Sequence, residues 1–222
     1  MAGNPDTGYT GRTCNKLYFD MVNPDWSTVT EFERQIAEFF GAPHAVAVDS
    51  CTHGLELCLR YNDEEYIVSP RNTYVSVPML SNKLNIDLVW ICREWDNWYV
   101  INGSPDNPII DAATYWKSSG YIHGSFMCLS FQYQKHLSLG RGGMILCPDA
   151  ESAAQLRKMA YDGRERGTPW REQDIDTMGY HYYMTPETAA LGLQKLPEAI
   201  ATPAKIWDWS MYPDLTKMKI FQ

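Results

Sequence analysis

Four positions carry side chains that could hold or transform a ligand, and each follows a short apolar run that predicts a strand. In sheets of parallel strands, ligands bind in the loops at the carboxyl ends of the strands. The turn SCTHG at residues 50–54 opens a predicted helix, so its free N–H groups and the Thr52 hydroxyl could hold an anion. A plain helix N-cap is the commoner use of such a turn.

Tyr74 and Asp111 follow the second and fourth predicted strands. Tyr74 could lie flat against a ring-shaped cofactor, although core packing is the commoner use of such a residue. Asp111 stands in the run PIIDAA, where an unpaired buried charge would be costly. The Asp111 carboxylate therefore either caps the residues that follow it or pairs with a buried cationic nitrogen.

Lys135 lies in the segment SFQYQKHLSLGRGG, which follows the fifth predicted strand and begins with Ser130. The residues next to Lys135 include no acid that could pair with its amine. A desolvated lysine has a lowered pKa and can act as an amine nucleophile. A solvated loop lysine is the alternative that the local sequence leaves open.

Taken together, the four positions describe one ligand-binding site. A phosphate would bind at Thr52, an aromatic ring would stack on Tyr74, a ring nitrogen would pair with Asp111, and an aldehyde would join Lys135. These are the needs of pyridoxal phosphate, whose protonated pyridine nitrogen makes the ring an electron sink. The residues therefore predict a pyridoxal-phosphate site.

Six short apolar runs and five helical stretches must position these residues. The alternation predicts an α/β fold: a mostly parallel sheet with helices on both faces. The link between the fifth and sixth runs is about ten residues long, too short for a crossover helix, which predicts one antiparallel strand. The runs are residues 44–50, 65–70, 87–92, 108–113, 126–131 and 142–148, and the helical stretches are residues 28–41, 55–61, 76–83, 151–163 and 187–200.

Charge and cysteine usage exclude several classes of protein. The formal charge is −8, from 19 Lys+Arg against 27 Asp+Glu, which argues against nucleic-acid and polybasic membrane partners. Residues 1–10 are polar, and no apolar run approaches the roughly 18 residues of a membrane span, so we expect a cytoplasmic chain without a signal peptide. Six cysteines with no CxxC pair predict reduced, buried thiols and no metal site; four of them, Cys58, Cys92, Cys128 and Cys147, lie in apolar runs.

A basic cluster follows the sixth strand and has two interpretations. It could meet a sugar-nucleotide diphosphate, or it could form a solvated loop in which Asp162 and Glu165 balance the charge. The mixed charge pattern favours the solvated loop. The cluster consists of Arg157, Lys158, Arg164, Arg166 and Arg171.

These motifs, in this order, resemble the DegT-type sugar aminotransferases, which are fold type I pyridoxal-phosphate enzymes. Residues 50–55 resemble the family's Ser-Gly-Thr-x-Ala-Leu turn, and Pro70 with Thr73 and Tyr74 resembles its Pro-x-x-Thr-aromatic segment. The likeness also covers Phe32-Glu33 with Gly41, Asp111-Ala112-Ala113, Ser130-Phe131 with Lys135 and Gly140-Arg141-Gly142-Gly143, and residues 156–163, 179–184 and 189–194.

The resemblance implies a cofactor-binding large domain over residues 1–200, with residues 201–222 as a short tail in place of the family's small domain. It implies that Lys135 is the Schiff-base lysine and proton shuttle and that Asp111 pairs with the pyridine nitrogen. The remaining implied contacts are Tyr74 on the ring, Thr52, the His53 backbone and Ser130 on the phosphate, Thr114 near the phenolic oxygen, and His181 on the phosphate of the partner subunit in a homodimer.

The implied activity is transfer of an amino group from glutamate or glutamine to a keto-sugar nucleotide. Departures from the family pattern keep two alternatives open: a pyridoxal-phosphate-dependent lyase or dehydratase on a similar sugar, and a non-catalytic remnant that binds the cofactor or a partner. The spacing between Pro70 and Asp111 is also short, which predicts that one strand–helix unit is missing. The departing side chains are Cys51, Thr114, His181 and Tyr183.

Overall fold

The protein, described by a computed structural model over residues 25–222, consists of helices and strands that alternate for most of its length. The helices are α1 (Trp26–Phe40), α2 (Cys51–Tyr61), α3 (Ser76–Leu84), α4 (Ala150–Ala160) and α5 (Pro186–Ala201). The strands are β1 (His44–Val48), β2 (Tyr66–Pro70), β3 (Asp87–Ile91), β4 (Tyr99–Val100), β5 (Ile109–Asp111), β6 (Phe126–Ser130) and β7 (Gly143–Cys147). No helix in this range is both long and apolar enough to cross a membrane.

Five strands form one sheet in the order β1-β7-β6-β5-β4, and β2 and β3 form a parallel pair. The Val68 N–H donates to the Ile101 carbonyl oxygen at 2.8 Å and joins the pair to the larger sheet. Strand β7 runs antiparallel to β1 and β6, as the short link before it predicts. The α/β prediction is confirmed, but the expectation of a mostly parallel sheet with one antiparallel strand is not. The sheet is mixed, because β4 also runs antiparallel to its neighbour β5 and only β5 and β6 pair in parallel within the five strands.

Strand residues alternate between two apolar cores, one on each face of the sheet. In β1, Val46 and Val48 belong to the core under α2 and α4, whereas Ala45 and Ala47 belong to the core under α1 and α5. Both sets are buried. The predicted placement of helices on both faces is therefore confirmed.

The tail that follows α5 consists of short turns. Helix α5 ends at Ala201, next to the predicted domain boundary at residue 200. The tail contains 3₁₀ turns at Trp209–Met211, Leu215–Lys217 and Lys219–Phe221. Leu215 is buried, and its N–H donates to the Arg71 carbonyl oxygen at 2.8 Å, so the tail packs against the loop after β2.

The cysteine prediction holds for four of the five cysteines in residues 25–222. Cys51, Cys58, Cys128 and Cys147 are free and buried. The prediction is wrong for Cys92, which is exposed because the chain leaves the sheet directly after β3 ends at Ile91. Cys14 and the polar residues 1–10 lie outside the described residues.

The solvated-loop interpretation of the basic cluster is wrong for Arg157 and Arg166. Both guanidinium groups reach the buried Glu33 carboxylate of α1, at 3.0 Å and 3.2 Å. The same carboxylate accepts the Ala47 N–H of β1 at 2.9 Å. One carboxylate thus joins α1, β1, α4 and the loop that carries Arg166.

Replacing Glu33 with alanine should leave two partly or fully buried guanidinium groups without their shared carboxylate. Breaking a buried ion pair in this way costs about 3–5 kcal/mol, so we expect Glu33→Ala to lower the free energy of unfolding by that amount in urea titrations. Glu31→Ala on the same helix is the control, since Glu31 pairs with Arg34 at the surface and should have a much smaller effect. Equal effects of the two substitutions would contradict this role of Glu33.

Candidate active site

A cavity of about 420 Å³ lies where β5 and β6 end and where α2 and α3 begin. Cavities of this size accommodate small ligands. Six of the eight predicted site residues line it, which brings together positions that are up to 83 residues apart in the chain. They are Thr52, Tyr74, Asp111, Thr114, Ser130 and Lys135.

The start of α2 presents the anion-binding features that the sequence predicts. Ser50 is the N-cap, and its Oγ accepts the His53 N–H at 3.2 Å. The Thr52 Oγ1 lies 2.7 Å from the Oγ of Ser76, the first residue of α3. The hydroxyl pair and the positive end of the α2 dipole therefore face the same cavity, a combination that suits a phosphate. The His53 N–H is already used by the cap.

A glycine behind this turn keeps it in place. A Cβ on Gly143 would lie 2.5 Å from the Ser50 carbonyl carbon and 2.6 Å from the Cys51 nitrogen. Real side chains do not tolerate such distances, so only glycine lets β7 pass directly behind the start of α2. The glycine-rich stretch after Lys135 thus supports the shape of the anion-binding turn.

Asp111 forms the buried acidic end of the cavity. Its Oδ2 accepts the Tyr99 hydroxyl proton at 2.5 Å, and its Oδ1 accepts the Ala113 N–H at 3.0 Å. Burial raises the pKa of the Asp111 carboxyl group, while the hydrogen bonds from Tyr99 and Ala113 and the charge of Lys135 act in the opposite direction. Two carboxylate oxygens offer about four acceptor sites, so Asp111 retains capacity for a further N–H donor.

Tyr99 is a site residue that the sequence reasoning missed. It is buried in β4, lines the cavity and hydrogen-bonds to both Asp111 and the Thr73 hydroxyl. Burial and the charge of Asp111 hold the pKa of Tyr99 well above its usual value, so the phenol remains a proton donor. The only sequence signal was the short apolar run at residues 99–101, which is too brief to predict a strand.

Lys135 supplies the amine of the cavity. Burial lowers its pKa, and the negative charge of Asp111 only partly opposes this effect. No carboxylate in residues 25–222 forms an ion pair with it; its Nζ lies 5.0 Å from the centre of the Trp207 ring. A half-buried amine without an acid partner does not fit a solvated loop lysine.

The other lining residues differ in how free their polar groups are. Tyr74 is 56% exposed at the mouth, so core packing does not explain it. The Thr114 hydroxyl donates to the Asn97 carbonyl oxygen at 2.7 Å and is thereby committed to the backbone. The Ser130 Oγ accepts the Gln132 N–H in a long contact of 3.4 Å, so its own proton is free for a ligand.

Two predicted site residues do not line this cavity. The His53 imidazole hydrogen-bonds to Asp49 at 2.6 Å and stacks on Tyr182 with ring centres 3.7 Å apart. His181 is exposed, pairs with Asp162 at 3.1 Å and lies in a separate cleft beside Arg141. Within residues 25–222, neither imidazole reaches the cavity that holds Lys135.

The chain matches the model of the DegT/DnrJ/EryC1/StrS aminotransferase family over residues 21–98 and 112–208. The unmatched residues between these ranges contain β4, Tyr99 and β5. That part of the chain is also where the spacing between Pro70 and Asp111 predicts a missing strand–helix unit. Tyr99 therefore belongs to a stretch in which this chain departs from the family pattern.

Curated relatives and solved structures give a consistent picture. The chain is 28% identical to the spore coat polysaccharide biosynthesis protein SpsC of Bacillus subtilis, over 76% of this chain and 56% of that protein. It is 24% identical to the GDP-perosamine synthase of Caulobacter vibrioides, over 82% of this chain and 60% of that protein. It thus spans little more than half the length of these relatives.

The fold is that of solved sugar aminotransferases. The crystal structure of CalS13 from Micromonospora echinospora superposes with a TM-score of 0.65 at 18% identity, over 78% of this chain and 60% of that one. AtS13 from Actinomadura melliaura superposes with a TM-score of 0.65 at 21% identity, over 82% and 63% of the two chains.

Replacing Tyr99 with phenylalanine should weaken the protein in a pH-dependent way. The change removes a donor from a buried carboxylate, which costs about 1–3 kcal/mol, and raises the pKa of Asp111 further. When the folded-state pKa of an Asp is raised above its usual value of 3.8, the free energy of unfolding falls as the pH rises towards the folded pKa. The reason is that the folded state then has to hold a buried charge. The deficit of Tyr99→Phe in urea unfolding should therefore be largest at neutral pH and shrink as Asp111 protonates.

Tyr121→Phe is the matched control for this prediction. The Tyr121 hydroxyl donates to the neutral Ser125 carbonyl oxygen at 2.8 Å, so its loss involves no titrating acceptor. Its cost should stay constant over the same pH range. A pH-independent deficit in Tyr99→Phe would show that the phenol does not support the charge of Asp111.

Proposed function

This chain belongs to the DegT/DnrJ/EryC1/StrS aminotransferase family, and on that premise we propose that it is a pyridoxal-phosphate-dependent aminotransferase. The proposed reaction moves an amino group from an amino acid to a keto-sugar nucleotide. The observation that carries the proposal is the cavity in which the Lys135 amine and the Asp111 carboxylate lie together beside the start of α2.

The residues of the cavity fit the cofactor that aminotransferases of this family use, pyridoxal phosphate. The phosphate needs hydroxyl and N–H donors, and Thr52, Ser76, Ser130 and the α2 start offer them. The ring nitrogen needs a buried acceptor, and Asp111 has acceptor capacity left. The aldehyde needs an amine of lowered pKa, and Lys135 is the lysine that lines the cavity.

When bound, the cofactor supplies an aldehyde for amine exchange and a ring that withdraws electrons from the substrate. Lys135 would hold the aldehyde end of the cofactor, and its amine would serve as the base at the Cα of the amino-acid donor. Asp111, whose carboxylate form is stabilised by hydrogen bonds from Tyr99 and Ala113, would hold a proton at the ring nitrogen. The hydroxyls of Thr52 and Ser76 would hold the phosphate end and so orient the cofactor in the cavity that Lys135 lines.

The substrate classes in this proposal follow from the relatives. One relative is named for GDP-perosamine synthesis and another for spore coat polysaccharide biosynthesis, which supports a sugar-nucleotide acceptor. Glutamate or glutamine is the proposed donor. We also propose a homodimer in which the exposed His181, which does not line the cavity of its own chain, reaches the phosphate in the partner's site.

The decisive variant is Lys135→Ala. The purified wild-type protein should be yellow, and borohydride should attach the cofactor to Lys135, which peptide mass spectrometry locates. Lys135→Ala should lose the colour and the attachment. Its aminotransferase activity should fall about 10²–10⁴-fold, the range for removal of a general base. Lys117→Ala, at an exposed lysine outside the cavity, should retain all three. An equally coloured and reducible Lys135→Ala protein would refute the proposed role.

A stoichiometric assay separates the proposed reaction from its alternatives. With glutamate and no acceptor, an aminotransferase releases one 2-oxoglutarate per active site and then stops, because the amino group stays on the enzyme. Release of no keto acid from glutamate or from glutamine, together with no conversion of a keto-sugar nucleotide, identifies a non-catalytic cofactor-binding protein. Conversion of a keto-sugar nucleotide without consumption of an amino donor identifies a lyase or dehydratase.

A further inference from the structure

The segment after α5 returns across the mouth of the cavity and is fastened on both sides of it. On one side, the Asn97 N–H donates to the Trp207 carbonyl oxygen at 3.0 Å, and the Trp209 N–H donates to the Trp95 carbonyl oxygen at 3.1 Å. On the other side, the Asn72 side chain donates to the Tyr212 carbonyl oxygen at 2.8 Å. We call residues 207–212 the strap.

Three side chains of the strap face the cavity: Trp207, Met211 and Tyr212. The Tyr212 ring packs against Trp95, with ring centres 5.5 Å apart. Just before the strap, the Lys205 amine donates to the Gln134 carbonyl oxygen at 3.1 Å. The chain leading into the strap therefore contacts the loop that carries Lys135, while the strap itself packs against the opposite wall.

Trp207 is the member of the strap that meets the reactive amine. The Lys135 Nζ lies over its ring, 5.0 Å from the ring centre, and the indole is partly buried. An aromatic face at this distance attracts an ammonium group and displaces water from one side of it. No carboxylate in the described residues forms an ion pair with this amine. The amine therefore relies on the face of the indole for a favourable electrostatic contact from the strap.

We propose that Trp207 is a positioning residue for Lys135. The Trp207 indole covers the Lys135 amine, keeps it inside the cavity and shields it from bulk reagents until a ligand displaces the contact. This positioning role rests on the proposed function only for the reaction that the Lys135 amine performs after the contact is displaced. The cover itself is a property of the protein without cofactor or substrate.

The proposal is tested by chemical labelling of Lys135. The full chain, freed of bound aldehydes with hydroxylamine and dialysed, is treated with brief pulses of acetic anhydride across a pH series. Mass spectrometry then gives the acetylation rate of Lys135 relative to the exposed Lys117 in the same sample. We expect Trp207→Ala to raise this ratio about three- to thirtyfold, the range between an exposed and a desolvated cation–π contact. Trp207→Phe keeps an aromatic face and should restore most of the protection.

Trp209→Ala is the matched control. It removes an indole of the same size from the same strap, but that indole lines a different cavity, beside Arg93 and Trp98. Thermal unfolding of each variant checks that the fold is intact. An unchanged ratio in Trp207→Ala, an equal rise in Trp209→Ala, or a failure of Trp207→Phe to protect would each overturn the proposal, since the effect would then not come from the indole over the amine.

The labelling result is independent of turnover. A protein that shows the Trp207 effect but releases no keto acid from glutamate or from glutamine retains the positioning role and loses the proposed function. A protein that transaminates but labels equally in wild type and Trp207→Ala retains the function and loses the positioning role.

Discussion

The cavity depends on holding two opposite charges away from water in one place. Asp111 is buried, which disfavours its anionic form, and Lys135 is half-buried, which disfavours its cationic form. Neither forms a direct ion pair with the other, so each is supported separately: the carboxylate by Tyr99 and Ala113, the amine by the face of Trp207. A ligand with a cationic ring nitrogen and an aldehyde would relieve both groups at once, because it brings the missing partner to each.

The rest of the fold supplies the rigidity that this separation of charges requires. Glu33 connects α1 to β1 through the Ala47 N–H, and to α4 and the loop that carries Arg166 through two arginines. These contacts hold the helices against the sheet that carries Asp111 and Ser130. On the other face, Gly143 lets β7 run directly behind the turn that starts α2. The elements that carry the two ends of the cavity are thus each held by contacts outside it.

Much of the site could be predicted because it obeys a local rule. Asp111 and Ser130 end strands that are visible as apolar runs, and Thr52 and Lys135 follow such strands. The carboxyl ends of strands in such a sheet form one ligand-binding edge. Tyr99 could not be predicted in this way, since β4 has two residues and exists through its pairing with β5. Ser76 and Trp207 join the cavity through contacts between distant segments, for which no periodicity gives a signal. Cys92 shows the converse: an apolar run predicts burial only while the strand remains inside the sheet.

The link between β6 and β7 fastens back on itself, and this decides how Lys135 can move. The Phe131 N–H donates to the Gly142 carbonyl oxygen at 2.9 Å, the Leu139 N–H to Phe131 at 2.8 Å, and the Lys135 N–H to Gln132 at 2.8 Å. These hydrogen bonds hold the backbone of the link at three points, whereas the lysine side chain is a flexible four-carbon stem. Once a ligand displaces the contact with the indole, the amine can therefore change position by rotation of its side chain, while its point of attachment on the backbone stays in place.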